Sequence, residues 1–568
     1  PDYRPFDMSD FGFSRAVHML QTARLAASRR LDEDRALPRQ RDVIMRLRPD
    51  LTGFALQEPE PVAATRTYTW SEARAQLSDD ASSRQRYAGV DMGLSGATPE
   101  LAIGANMYLW AVRAMSSVGG EVEQDLKRLG WMQRVGTANY VDWASWLNLR
   151  AKKEQTTLSK HWLYLAELSG LSGYAAVDES AFLESVTAWV TDKRPKQSLF
   201  AGMSWVETLV AALHLVMTSL NQHRPLELQT LEEWAQDPMN WGLQGSSWDV
   251  HGTRLYVTTP GGARPTARTK WASALKLSPA DVVSRVMAWT RQSAKAVAKR
   301  ETKKVRAVVS VDLDTYLKMK YCDHWLRQFL QGSAESTLWM SAKQRLDMAR
   351  EMIAPAGVKI GIDQIEFDHV PERSEVVAMI GVVASFVPRG TRATADLDAV
   401  FARVKYALDG GKVMVKDVHV PIVNGILSGW LWTATIDTLL NLAECKLAEM
   451  YLERITGEQL VHRTAQGDDL RVTVPSWRAA AIFVSAYERM GLPINYAKTL
   501  IGTRYDEFLR KVGDSDTKVV TGYPARAINS ILWRNPINDV ERPGTQRLAG
   551  TFERWNTLAG RMWCGSIP

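Results

Sequence analysis

Apolar positions fall into two regimes along the chain. From residue 1 to about 235 they recur at helical spacing, clearest in Trp205–Leu220. This predicts a mostly helical region whose many tryptophans and leucines fill a core. Gly242, Gly245, Gly252, Gly261 and Gly262 then mark residues 237–268 as loop-rich. Further on, Val358, Ile360 and Ile362 alternate with Lys359 and Gly361, which predicts a strand ending at Asp363. Pro371 opens an apolar helix over 372–387, and a long helix follows Ser428 and runs to about Glu453. Short runs at 460–465 and 470–474 flank Gln466-Gly467-Asp468-Asp469, a β-hairpin pattern with acidic residues at the turn. Ser476 caps a further helix that Gly491 stops. The order is strand, helix, helix, hairpin, helix, strand.

Composition narrows the class only a little. A chain of 568 residues is expected to hold roughly two to four subdomains that share cores. A hydrophobic fraction of 45% and a charged fraction of 23% argue against wholesale disorder. The net charge of +7 fits a polyanionic partner weakly, so the placement of the basic residues matters more. Cys322, Cys445 and Cys564 are odd in number and far apart, which argues against a disulfide framework or a cysteine-rich zinc site and for a reducing compartment. No stretch reaches the roughly 18–20 apolar residues that span a bilayer. Residues 376–387 are too few, and Trp205–Leu220 carries Glu207 and His214, so no membrane insertion is expected. The start at Pro1-Asp2-Tyr3-Arg4 has no secretion-signal pattern and suggests loss of an initiator or release from a longer precursor.

The chemistry lies in the acids. A Gly-Asp turn alone is common for conformational reasons. Two-metal phosphoryl transfer needs carboxylates from separate strands around metals about 3.5–4 Å apart, so a second acidic strand end should lie upstream of Asp468. Asp312 and Asp314, after the apolar run 307–309, are one candidate, and Asp363 with Asp368 is the other. Spacing favours the second pair. Sixty residues separate Asp368 from Ser428 and forty separate Ser428 from Asp468, intervals that suit an antiparallel sheet with a helical excursion between strands. Starting from Asp312 leaves a far longer first excursion.

Asp363-x4-Asp368, Ser428-Gly429-x3-Thr433 and Gly467-Asp468-Asp469 match, in order, motifs A, B and C of viral RNA-dependent RNA polymerases. Lys299-x-Glu301-x-x-Lys304-x-Arg306-Ala307 resembles motif F of the totivirus-like double-stranded RNA virus enzymes, with Lys303 where they usually carry glycine. By that resemblance Lys299, Lys304 and Arg306 line the nucleotide channel, Arg offering bidentate contacts to phosphate, and Asp312 is an acid without a metal role. Asn495-Tyr496-Ala497-Lys498 resembles motif D, whose lysine protonates the leaving pyrophosphate; a lysine is protonated at neutral pH without special tuning. Glu507-Phe508-Leu509-Arg510 resembles the motif E hairpin, 522–526 also looks familial, and Trp241 with Gly245-Ser246-Ser247 resembles the template element, motif G. Thr433, Asp437 and Asn441 lie at i+4 steps on one helix face. Asp437 stands where many relatives have the ribose-reading Asn, and partitivirus-like enzymes share the Asp followed by Asn four residues on. For Asn441, helix packing remains an alternative to substrate contact.

The resemblance covers residues 240–530 or so and implies an α+β right-hand polymerase: fingers, palm and thumb, an antiparallel palm sheet and a largely helical N-terminal region. The implied division is 1–235 bridging fingers and thumb, 236–357 fingers, 358–387 palm, 388–420 a fingers insertion, 421–512 palm and 513–568 a short thumb. So short a thumb implies that the N-terminal region or a partner completes the template channel. Asp363, Asp468 and Asp469 are the implied metal ligands for Mg2+, with Mn2+ as a substitute. Asp368, Ser428, Gly429, Thr433, Asp437 and Asn441 are implied to contact the nucleotide. RNA, nucleoside triphosphates and a capsid protein are the implied partners, in the virion and the host cytoplasm. Two rivals remain. A reverse transcriptase shares the palm but usually carries aromatics at the positions of Asp368 and Gln466. A non-catalytic RNA-binding or capsid-associated protein with this fold has no need of the full acid set.

Overall fold

A computed structural model describes residues 43, 46, 57–62, 99–172, 177–221, 226–242, 245–256, 266–301, 305–532 and 544–562. The helices before residue 221 include α1 (Pro99–Met115), α2 (Tyr140–Glu154) and α3 (Trp205–Leu220). The strands β1 (Gln292–Arg300) and β2 (Val305–Val311) precede α4 (Leu313–Leu330). Then come β3 (Val358–Ile362), α5 (Arg373–Ser385), α6 (Arg392–Leu408), β4 (Gly411–Val415) and β5 (Val418–Pro421). The long α7 (Thr433–Thr456) leads to β6 (His462–Gln466), β7 (Asp469–Val474) and α8 (Trp477–Met490). β8 (Leu500–Gly502), β9 (Tyr505–Phe508), β10 (Lys511–Asp514), β11 (Val519–Gly522), α9 (Pro524–Leu532) and α10 (Gly544–Met562) close the described chain.

The central sheet runs β6-β7-β3-β8, all antiparallel. Val358, Ile360 and Ile362 of β3 are buried, and so is Lys359, whose Nζ donates to Met352 O at 3.0 Å. A second sheet runs β2-β1-β4-β5, in which β1 and β4 pair in parallel. A third joins β9, β10 and β11. Ser204 opens α3 with a capping box to Glu207, and the helix packs against α5 and α7, which accounts for its nearly continuous apolar sequence. Gly491 ends α8 at φ 81°, where a Cβ would also meet Pro195 O at 2.4 Å.

The described residues hold two large cores. One joins α3, the central sheet and the helices α4 to α8. The other joins α1 and α2 to Tyr505, Val512, Tyr523, Ile528 and Leu558, so the N-terminal helices share their apolar interior with the end of the chain. Pattern and structure differ in three places. Pro371 lies ahead of the helix, whose N-cap is Glu372. Asp368 sits in a single 3-10 turn, Phe367–His369, rather than at the start of that helix, because Glu366 adopts a left-handed conformation (φ 52°) and breaks the chain direction. Residues 388–420, left without secondary structure by the pattern, hold α6 and the β4–β5 pair that extends the second sheet.

Candidate active site

The pairing of β3 with β7 sets Ile362 opposite Leu470, and one step further sets Asp363 opposite Asp469 at the sheet edge. β-Carbons across such a pair stand about 4.5–5.5 Å apart. Asp468 lies in the turn between β6 and β7, where Gln466 pairs with Asp469. Gly467 has φ 59° and open space around it, so glycine serves the turn's left-handed conformation and nothing else. The turn is tied to α7 from both ends: Gly467 N donates to Thr438 Oγ1 (2.8 Å), and Asn441 Nδ2 donates to Gly467 O (3.1 Å). Burial, and next the Asp468 charge, pushes the Asp469 carboxyl up to about 6, with Glu507 and Asp363 adding to this and Arg510 opposing it.

Asp437 faces the same acids. Burial, then Asp368, Asp468 and Glu444, holds its carboxyl well above the usual range, and its Oδ1 has no hydrogen-bond partner among the described residues. The Asp368 turn is held from outside: Trp189 Nε1 donates to Asp368 O (3.0 Å) and its ring stacks on His369. Lys193 pairs with Glu372, Arg194 with Glu366 and Lys196 with Glu375.

Lys498 Nζ stands 3.2 Å from Asp363 Oδ1. Its turn grips Asp363 by the backbone too, since Asn495 N donates to Asp363 O (2.8 Å) and Asp363 N donates to Thr499 Oγ1 (3.4 Å). The β9–β10 hairpin turns at Leu509 and Arg510, both with positive φ. Asp363, Asp469, Lys498, Glu507 and Arg510 line one cavity together with Lys152 of α2.

The remaining predicted residues lie on or beside the β1–β2 pair and at the start of α7. Lys299 and Arg306 face each other across β1 and β2, and both pair with Glu301 (3.2 and 3.0 Å). Lys304 lies outside the described residues. Ser428 Oγ accepts from Val309 N (3.0 Å), and a Cβ on Gly429 would meet Val309 O at 1.8 Å, so the Ser-Gly pair docks backbone to backbone on β2. Thr433 Oγ1 donates to Leu427 O (2.6 Å), closing the same turn. Ser246 bridges to Thr269, Lys270 N donates to Gly245 O, and the buried Ser247 hydroxyl bonds Ser273 Oγ. Asp312 caps α4, accepting from Ser293 N, Thr315 N and Thr315 Oγ1. Sequence reasoning missed Thr438, Trp189 and Lys152. Only Thr438 had a local signal, its place beside Asp437 on α7.

All-oxygen donors suit a hard divalent cation. Burial raises the Asp469 carboxyl most, and the repulsion from Asp468, Glu507 and Asp363 that adds to it is what a cation between the strands would relieve. Among the described residues no three acidic, His or Cys side chains converge into a closed cage. Mg2+ commonly takes one or two carboxylates plus substrate phosphates.

An antiparallel sheet carrying these acids at adjoining strand ends is what the chain shares with one class of proteins it is similar to, the viral RNA-directed RNA polymerases. Residues 389–532 match the family described as viral RNA-directed RNA-polymerase. The probable RNA-directed RNA polymerase of Giardia lamblia virus (isolate Wang) is 26% identical over 404 residues, 69% of this chain and 20% of that protein, so the match spans about a fifth of the relative's length. The RNA-dependent RNA polymerase of BmCPV, seen in situ at its elongation state, superposes with a TM-score of 0.50 at 14% identity, over 73% of this chain and 39% of that one. The polymerase of a human picobirnavirus gives 0.47 at 14% identity, over 69% and 77%. Among the described residues no helix is long and apolar enough to cross a membrane.

Proposed function

We propose that the chain carries out template-directed RNA synthesis, joining ribonucleoside triphosphates to a 3′-hydroxyl end and releasing pyrophosphate, in replication and transcription of a viral RNA genome. The observation that carries this reading is the β3–β7 register, with Asp363 opposite Asp469 beside the turn that bears Asp468. Divalent cations held by Asp363 and Asp468, with Asp469 in support, would acidify the attacking hydroxyl and neutralise the pyrophosphate. Lys299 and Arg306 would exchange Glu301 for triphosphate oxygens, joined by Lys304. Asp437, with its unpartnered Oδ1, and Asp368 would read the ribose 2′-hydroxyl. Lys498 Nζ would hand a proton to the departing pyrophosphate. Ser428, Gly429, Thr433 and Asn441 hold the shape of the nucleotide site, and Gly245, Ser246 and Ser247 border the template path. The RNA template and product and the triphosphates are the partners, with a capsid protein in the virion and the host cytoplasm as the setting.

The test is RNA synthesis on a defined single-stranded template with Mg2+, with and without primer. Asp468→Asn should lower incorporation by about 10³-fold or more while RNA binding is retained. Substantial residual incorporation by that variant would overturn the assignment. Preference for deoxynucleotides would move the chain to the reverse transcriptases.

A further inference from the structure

The turn that carries Lys498 is gripped on its outer side by the end of α2, some 346 residues earlier in the chain. Lys152 Nζ donates to Lys498 O (3.4 Å) and pairs with both Glu507 carboxylate oxygens (2.8 and 3.1 Å). Lys153 Nζ donates to Thr499 O (2.7 Å), and the Gln155 amide reaches Ile501 O (3.4 Å). Three neighbouring side chains of one helix end thus hold three carbonyls of the segment from Lys498 to Ile501.

The grip is built rather than incidental. Lys152 and Lys153 are each only 1% exposed, and a buried ammonium persists only where it is paired. Gln155 ends α2 at φ 45°, a positive-φ conformation that a non-glycine residue keeps only where its surroundings hold it. It turns the chain where its amide reaches β8. On the far side, Gly361 of β3 lets Glu507 come close, since a Cβ there would meet Glu507 O at 2.9 Å. Glu507 is thereby fixed between β3 and Lys152.

We propose that Lys152 is a positioning residue for Lys498: by tying the Lys498 carbonyl to Glu507, it sets where the Lys498 ammonium stands relative to Asp363. The N-terminal region thus acts on the active site through the Lys498 turn. This rests on the polymerase reading above and adds a residue to it.

The test uses the full chain on a preformed primer–template with Mg2+, measuring the maximal incorporation rate and the KM for the next nucleotide. Lys152→Met should lower the maximal rate about tenfold or more while KM stays within about twofold, because the acid is displaced and the nucleotide contacts are not. Lys152→Arg should restore most of the loss. In a Lys498→Met background, adding Lys152→Met should cost less than about twofold, since the two act through one group. The doubly neutral Lys152→Met/Glu507→Gln chain avoids leaving a buried charge unpaired. It should melt near the parent and still be slow. A full rate in either Lys152→Met chain, or an equal loss with and without Lys498, overturns the proposal. Full rate in Lys498→Met beside a dead Asp468→Asn removes Lys498 and this proposal together but leaves the polymerase standing. An active Asp468→Asn brings down the polymerase itself.

Discussion

Two turns flank Asp363 in the central sheet, and they are held by opposite means. The turn bearing Asp468, on the β7 side, is held by α7, the helix that leads into its own hairpin: Thr438 and Asn441 take both polar groups of Gly467. The turn bearing Lys498, on the β8 side, is held by α2, from the far end of the described chain. The acids therefore have a local scaffold and the lysine a remote one. The difference implies that damage to the first is felt by the sheet itself, whereas damage to the second is felt as misplacement of one charge.

The largest effect should come from breaking the local scaffold. Thr438→Val with Asn441→Leu removes both bonds that tie the half-buried Gly467 to α7 beside the acids. Single-turnover incorporation should fall by about 10²-fold or more with RNA affinity kept, and a loss under about threefold would mean that the turn holds itself. Next comes a test of how this scaffold responds to pH. Glu444 of α7 accepts from Gln364, the neighbour of Asp363 (2.8 Å), and burial pushes its carboxyl up to about 8, with Glu375 adding to the rise and Gln364 and Lys196 opposing it. The folded chain then keeps a proton that the unfolded chain loses. Stability should decline as pH rises from about 4.5 to about 8, by at most about 1.4 kcal/mol per unit from this group, and level off above. Glu444→Gln should flatten that slope in denaturant melts at pH 5, 6.5 and 8; an unchanged slope would place the titration elsewhere. The smallest effect belongs to the remote scaffold. Lys153→Met orphans Thr499 O and should cost about 1–3 kcal/mol of stability. Its loss of rate should be smaller than that of Lys152→Met, which also unpairs Glu507. Equal or larger loss at Lys153 would shift the weight of the grip to Thr499.

Legibility in the sequence follows the same division. The hairpin at Gly467, the strand before Asp363 and the Ser476 and Gly491 helix limits all show in local pattern, because each is set by contacts within a few residues. Asp312, set aside on spacing, is the α4 cap. The support of the Asp368 turn by Trp189 and the 193–196 cations was not visible, since a tryptophan and three basic residues in a helical region have no feature that marks them apart from core and surface. Nor was the docking of Gly429 on Val309: a glycine after serine suggests a bend, and only the tertiary structure reveals a close approach of two backbones.

The 346-residue separation between Lys152 and the Lys498 carbonyl has a consequence in time. At roughly 5–20 residues per second of synthesis, α2 leaves the ribosome about 20–70 s before its partner exists. Throughout that interval the Lys498 turn that its two lysines hold has not been made. This corner can therefore assemble only after the segment through Ile501 has been made, long after α2 itself.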